Sequence, residues 1–159
     1  MSDANNRPLL SGFLKFMGLD RDKIVSGRLE NRIKAQKFVY FGKKLGLPLS
    51  YDFDLYLYGP YSSKLADDYY SMSEEEWKYG TLNIPKSIER TLMYLRGNDT
   101  MFLEIAATLD SIRAVNKGVS DSKLIDVVSK LKSSRLSEKN KDKNYLWNVL
   151  SDLSTHNIL

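Results

Sequence analysis

Few residues in this chain could carry chemistry. There is one histidine and no cysteine in 159 residues, which removes thiolate nucleophiles, thiolate metal sites and disulfides. His156 lies three positions before the C-terminal Leu159; a frayed end leaves an imidazole without the partners that general-base or metal chemistry needs. It reads as a surface residue. Asp52 and Asp54 fall on one face of an extended segment, with Asp67 and Asp68 close behind, so an oxygen-ligand cation site is one reading and a solvated acidic face the other. No glycine-rich phosphate loop, no Gly-x-Ser-x-Gly turn and no Glu-x-x-His pair is present. The expectation is therefore no enzyme, no metal and no cofactor.

The most specific stretch is residues 54–66, where Tyr56, Tyr58 and Tyr61 crowd around Gly59 and Pro60. Tyr56 and Tyr58 project from the same side of an extended segment and Tyr61 from the start of the next helix, giving an aromatic platform with polar tips. Such rings either wedge a helix against a strand or anchor a protein partner. Gln36 lies on an apolar stripe with Leu29, Ile33 and Tyr40. A buried amide must find hydrogen-bond partners, so Gln36 either ties its helix to the backbone of the Gly59-Pro60 turn or contacts a ligand.

The formal net charge is +4, and its distribution says more than its size. Residues 28–44 carry Arg28, Arg32, Lys34, Lys37, Lys43 and Lys44 against Glu30 alone. Residues 130–143 carry Lys130, Lys132, Arg135, Lys139, Lys141 and Lys143 against Glu138 and Asp142. Residues 52–76 are acidic, with seven carboxylates against Lys64. Basic blocks of this kind are either solvated helix surfaces or phosphate-binding faces. On the second reading Arg28, Arg32, Lys34, Lys37, Lys43, Lys44, Lys139 and Lys141 meet nucleic acid, while Tyr56, Tyr58 and Tyr61 meet protein.

These groups must be positioned by helices. Residues 9–19 have the apolar spacing of a helix entered through Pro8. Residues 29–45 form a longer helix with apolar residues on more than one side, the expected central helix. Gly46 and Pro48 stop it. Residues 51–58 then alternate, with Phe53, Leu55 and Leu57 on a buried face, and predict a half-buried strand. A lone strand needs a partner, for which residues 81–84 are a candidate, and the pair would make a tiny hairpin or wing. Ser62 or Ser63, Ser73 with Glu76, Asp99 or Thr100, and Ser120 or Asp121 mark four helix starts, with Pro85 at a fifth. Ser137 precedes a last helix that includes Tyr145 and Leu150. The fold expected is mainly α: one domain over residues 1–159, a bundle of about six to seven helices with one short β-hairpin or wing, winged-helix-like being one option. Residues 1–7 are expected to be a disordered start, with no secretory signal and no membrane segment, and a cytoplasmic address follows.

Leu29-x-x-x-Ile33-x-x-Gln36-Lys37-x-x-Tyr40, followed eighteen residues later by Tyr58-Gly59-Pro60-Tyr61-Ser62, resembles the YwgA-like family of small prokaryotic proteins and, more distantly, the Panacea antitoxin (SocA-like) domain. The runs 103–108 and 124–132 are similar to later helices of YwgA-like members, so the resemblance covers roughly residues 28–153. It departs at Lys34-Ala35 and at Ser133, where the family pattern has Lys-Leu and proline. The resemblance implies a fold for Gln36, Lys37, Tyr40, Tyr58, Gly59 and Pro60 to share, and no catalytic role for any of them. The Panacea likeness implies a toxin-neutralising class. The function expected is a regulatory binding module, antitoxin-like or transcription-regulator-like, contacting nucleic acid or a protein such as a toxin. The alternative is a protein-interaction or homodimeric subunit using the surface of residues 51–61.

Overall fold

The computed structural model describes residues 6–159. Among them are ten helices and one two-stranded hairpin. The order is α1 (Asn6–Phe16), α2 (Arg21–Val25), α3 (Leu29–Lys44), β1 (Asp54–Tyr56), β2 (Gly59–Tyr61), α4 (Ser63–Ser71), α5 (Glu74–Tyr79), α6 (Lys86–Arg96), α7 (Thr100–Val115), α8 (Asp121–Leu131), α9 (Ser133–Glu138) and α10 (Lys143–Thr155). The mainly α fold with one small hairpin is as expected. The helix number exceeds the expectation because short elements, α2 and α9 among them, carry too few residues to show a periodic stripe.

Helix starts follow side-chain chemistry. Ser62, Asp99 and Ser120 each accept a backbone N–H from the first turn of α4, α7 and α8, and Ser73 with Glu76 forms a complete capping box on α5. The expected disordered start concerns residues 1–5, outside the described residues, and Asn6 and Arg7, which lie in α1. Asn6 exchanges two hydrogen bonds of 3.0 Å with the backbone of Ser50, and Arg7 pairs with Glu76 at 2.8 Å.

The centre is shared by α3 and α7, which pack on each other. All ten residues from Met101 to Asp110 are buried. Ala106 and Ala107 let neighbours approach, so α7 is enclosed by α3, β2, α8 and α10. The sequence pointed to α3 alone as the central helix.

The strand reading needs correction. Only Asp54–Tyr56 is extended and paired, and its partner is Gly59–Tyr61, antiparallel, with Leu55 opposite Pro60. Leu55 and Leu57, expected on a buried face, are 42% and 68% exposed. The hairpin packs through β2 against α7 and α3, leaving β1 on the outside, so alternation along β1 faces solvent on both sides. Residues 81–84 form no strand. The backbone there crosses α1 so closely that a Cβ on Gly12 would lie 2.4 Å from the carbonyl carbon of Thr81. The last helix also divides: Ser137 lies inside α9, and Asp142 caps α10. The C-terminus is packed, with Ile158 buried and His156 stacked on Tyr94 at 3.5 Å between ring centroids, so the expected frayed end is not observed.

Candidate nucleic-acid interface

The hairpin turn is held from beneath by buried polar groups. Gln36 is 1% exposed; its Nε2 donates to the Ser62 carbonyl at 3.0 Å and its Oε1 accepts the Ser62 N–H at 2.8 Å. Both halves of the amide are satisfied by one residue at the start of α4, the structural tie expected of it. Lys37, one residue on, donates from Nζ to the Pro60 carbonyl at 2.7 Å. Lys132 donates to the Leu57 carbonyl at 2.7 Å and to Glu104 at 3.0 Å. Arg135 completes the group with a forked contact to Glu104, 2.8 Å at its shortest, while its guanidinium lies 4.8 Å from the centre of the Tyr58 ring. Gly59, at φ +93°, sits over α7, where an added Cβ would lie 2.9 Å from Thr108 Oγ1.

Burial in this cluster moves protons. Desolvation pushes the Lys37 ammonium down to about 7, opposed by Glu104 and aided by Lys132. Desolvation lowers Lys132 too, while the bond to Glu104 raises Arg135. Nothing in the residue spacing paired Glu104 with Lys132 and Arg135. One signal was available: Glu104 is the only charged residue in the apolar run 101–109, and a charge at such a position needs a partner.

Two clefts open on either side of Tyr58. The first, about 270 Å³, is lined by Tyr56, Tyr58, Tyr61, Tyr69 and Tyr70 together with Leu29, Arg32, Ile33, Gln36, Lys37 and Gly59. No carboxylate lines it. Tyr56 and Tyr61 meet edge to face at 5.6 Å, and Tyr56 is 56% exposed. Burial pushes Tyr69 up to about 12, and Tyr61 is raised by burial and by its neighbours Tyr70, Asp67 and Tyr56, so both phenols stay protonated. The second cleft, about 300 Å³, is lined by Arg135, Lys139, Lys141, Glu30, Asp99, Thr100 and Met101. Leu29, Ile33 and Tyr58 belong to both.

The basic residues of the two expected faces, residues 28–44 and 130–143, are distributed over several places. Lys37 is 1% exposed and is removed from any surface set. Lys43 donates to the Tyr51 carbonyl at 2.6 Å and pairs with Asp52; Lys44 pairs with Asp110, which also accepts from Tyr40 at 2.5 Å. Lys34 borders a different cleft, with Lys23 and Arg96. Arg32 lies in the tyrosine cleft, its Nη1 bonded to the Gly27 carbonyl at 3.0 Å. Arg28 is exposed at the start of α3, beside the shared Leu29. Lys139 and Lys141 line the second cleft, Lys141 also resting 4.8 Å from the Tyr145 ring centre. The structure thus brings Arg32, Tyr56, Tyr58, Tyr61, Lys139 and Lys141 to one connected surface and takes Lys34, Lys37, Lys43 and Lys44 elsewhere.

Two of the four acids have separate partners. Asp52 faces Lys43, while Asp68 is buried and accepts from Tyr51 at 2.7 Å. Among the described residues no group of three or more His, Cys, Asp or Glu side chains could hold a metal ion. No described helix is long and apolar enough to cross a membrane. Comparison with protein-family models, curated proteins and solved structures gives no match to this chain.

Proposed function

We propose that this chain is a non-enzymatic regulatory module that binds nucleic acid across the two clefts flanking Tyr58. One observation carries the reading: a carboxylate-free cleft of tyrosines and a cleft bearing Lys139 and Lys141 share the wall Leu29, Ile33 and Tyr58, with Arg135 in the second cleft already held by Glu104 and Glu138. Aromatic faces beside a cationic track are what bases and phosphates require. Glu30 and Asp99 also line the second cleft, but Asp99 is committed to capping α7, so its charge is partly offset by the helix end. The YwgA-like resemblance bears on the fold alone, the Panacea likeness points to a toxin-neutralising module, and a cytoplasmic address belongs to the same proposal.

A protein partner, such as a toxin, is the second reading. It is favoured by the exposed Leu55, Tyr56, Leu57 and Tyr70 around the hairpin, since tyrosines anchor interfaces. The two separate by salt. Titrating a labelled mixed-sequence oligonucleotide at rising potassium chloride is expected to give saturable binding that weakens steadily with salt. Absence of binding to any oligonucleotide at low salt contradicts the nucleic-acid reading and transfers the surface to a protein.

A further inference from the structure

Resting on the nucleic-acid reading and narrowing it, we infer that the strand bound is single, with an unstacked base seated in the tyrosine cleft and its backbone running past Tyr58 to Lys139 and Lys141. Duplex recognition by a helix needs a protruding basic helix that can enter the major groove. The helix with the dense basic block, α3, is unsuited to that. Ile33, residues 35–39, Phe41 and Gly42 are buried, Lys37 among them, and the exposed Lys43 and Lys44 in its last turn are paired with Asp52 and Asp110.

What remains is concave. A cleft of about 270 Å³ is at or below the low end of the range of about 300–1,000 Å³ that encloses drug-sized ligands, a size for one planar group rather than a folded element. Its two exposed rings, Tyr56 and Tyr70, can take a stacked π-face, which a duplex keeps inside its own stack and a single strand offers freely. Arg32 supplies the cleft's guanidinium. The division of labour is spatial: aromatic groups on one side of Tyr58, ammonium groups on the other.

The test uses the full chain and three fluorescein-labelled DNA probes of equal length at low salt: a mixed-sequence single strand, a blunt duplex and an abasic strand. The single strand is expected to bind at least about tenfold tighter than the other two, and Tyr56→Ala or Tyr70→Ala to weaken it by about five- to a hundredfold while leaving abasic binding unchanged. Both side chains are exposed, so neither change threatens folding. Lys139→Gln is expected to weaken all three probes. If duplex and single strand bind equally, or the tyrosine variants bind the single strand like the native chain, the single-strand inference is overturned while nucleic-acid binding stands. If no probe binds, the nucleic-acid reading itself fails.

Discussion

Glu104 illustrates how a buried charge organises a site whose clefts it does not line. Fully enclosed, it is bracketed by Lys132 and Arg135, and through them it reaches the Leu57 carbonyl and the Tyr58 ring. Removing one member of a buried ion group leaves the others uncompensated, at a cost of about 3–5 kcal/mol. Glu104→Gln is therefore expected to lose stability on that scale in urea unfolding; a loss below about 1 kcal/mol contradicts the pairing. Lys37 makes a second expectation. Its folded value of about 7 lies below the unfolded 10.5, so between those values the unfolded chain holds a proton that the folded chain has released. Stability from this group therefore rises with pH across that window, by at most about 1.4 kcal/mol per unit. Lys37→Met is expected to flatten that rise between about pH 7.5 and 9.5; an unchanged slope assigns it to other groups. At residue scale Gln36 was legible, because an amide on an apolar stripe has to be bonded. Glu104 with Lys132 was not, because their meeting depends on how α7 and the α8–α9 junction pack.

At the scale of elements, Gly59 sets the close approach of the hairpin to α7. Alanine there meets both a positive φ of +93° and the Thr108 hydroxyl, whereas alanine at Gly46 meets φ +101° in open space. Gly59→Ala is expected to cost roughly 2–4 kcal/mol against about 1–2 for Gly46→Ala, read as denaturation midpoints. Equal losses would mean that Thr108 gives way. Local signals marked the capped helices well: Ser62, Ser73, Asp99 and Ser120 act through bonds to their own first turns, which neighbours in sequence suffice to define. The strand departs from its expected length and burial for the opposite reason. Whether Leu55 and Leu57 are buried depends on which edge of the hairpin meets α3 and α7, and nothing within residues 51–58 encodes that. Helix α9 likewise carries no sequence signal of its own, because six residues show no period.

Taken whole, the molecule disperses what the sequence grouped. The basic block of residues 28–44 is divided among the interior, the Asp110 and Asp52 pairs, and separate clefts, so a net charge of +4 says little about where a polyanion docks. The composition did not reveal that Tyr58 stands between an aromatic and a cationic cleft, since α3, the hairpin and the segment after α9 all contribute walls. If the two phosphates met by Lys139 and Lys141 are neutralised there, log K should fall against log salt with a slope of about −1.4 for a single strand, and Lys139→Gln should reduce that slope by about 0.7. A slope unchanged by the variant places the phosphates elsewhere. The most direct measurement is amide chemical-shift mapping of the ¹⁵N-labelled chain during titration with a short single-stranded oligonucleotide. Shifts are expected to concentrate in residues 29–33, 56–61 and 139–141, with Lys43 and Lys44 unmoved. Shifts centred on Lys43, Lys44 and Asp52, or none at saturating oligonucleotide, would contradict binding across the Tyr58 clefts.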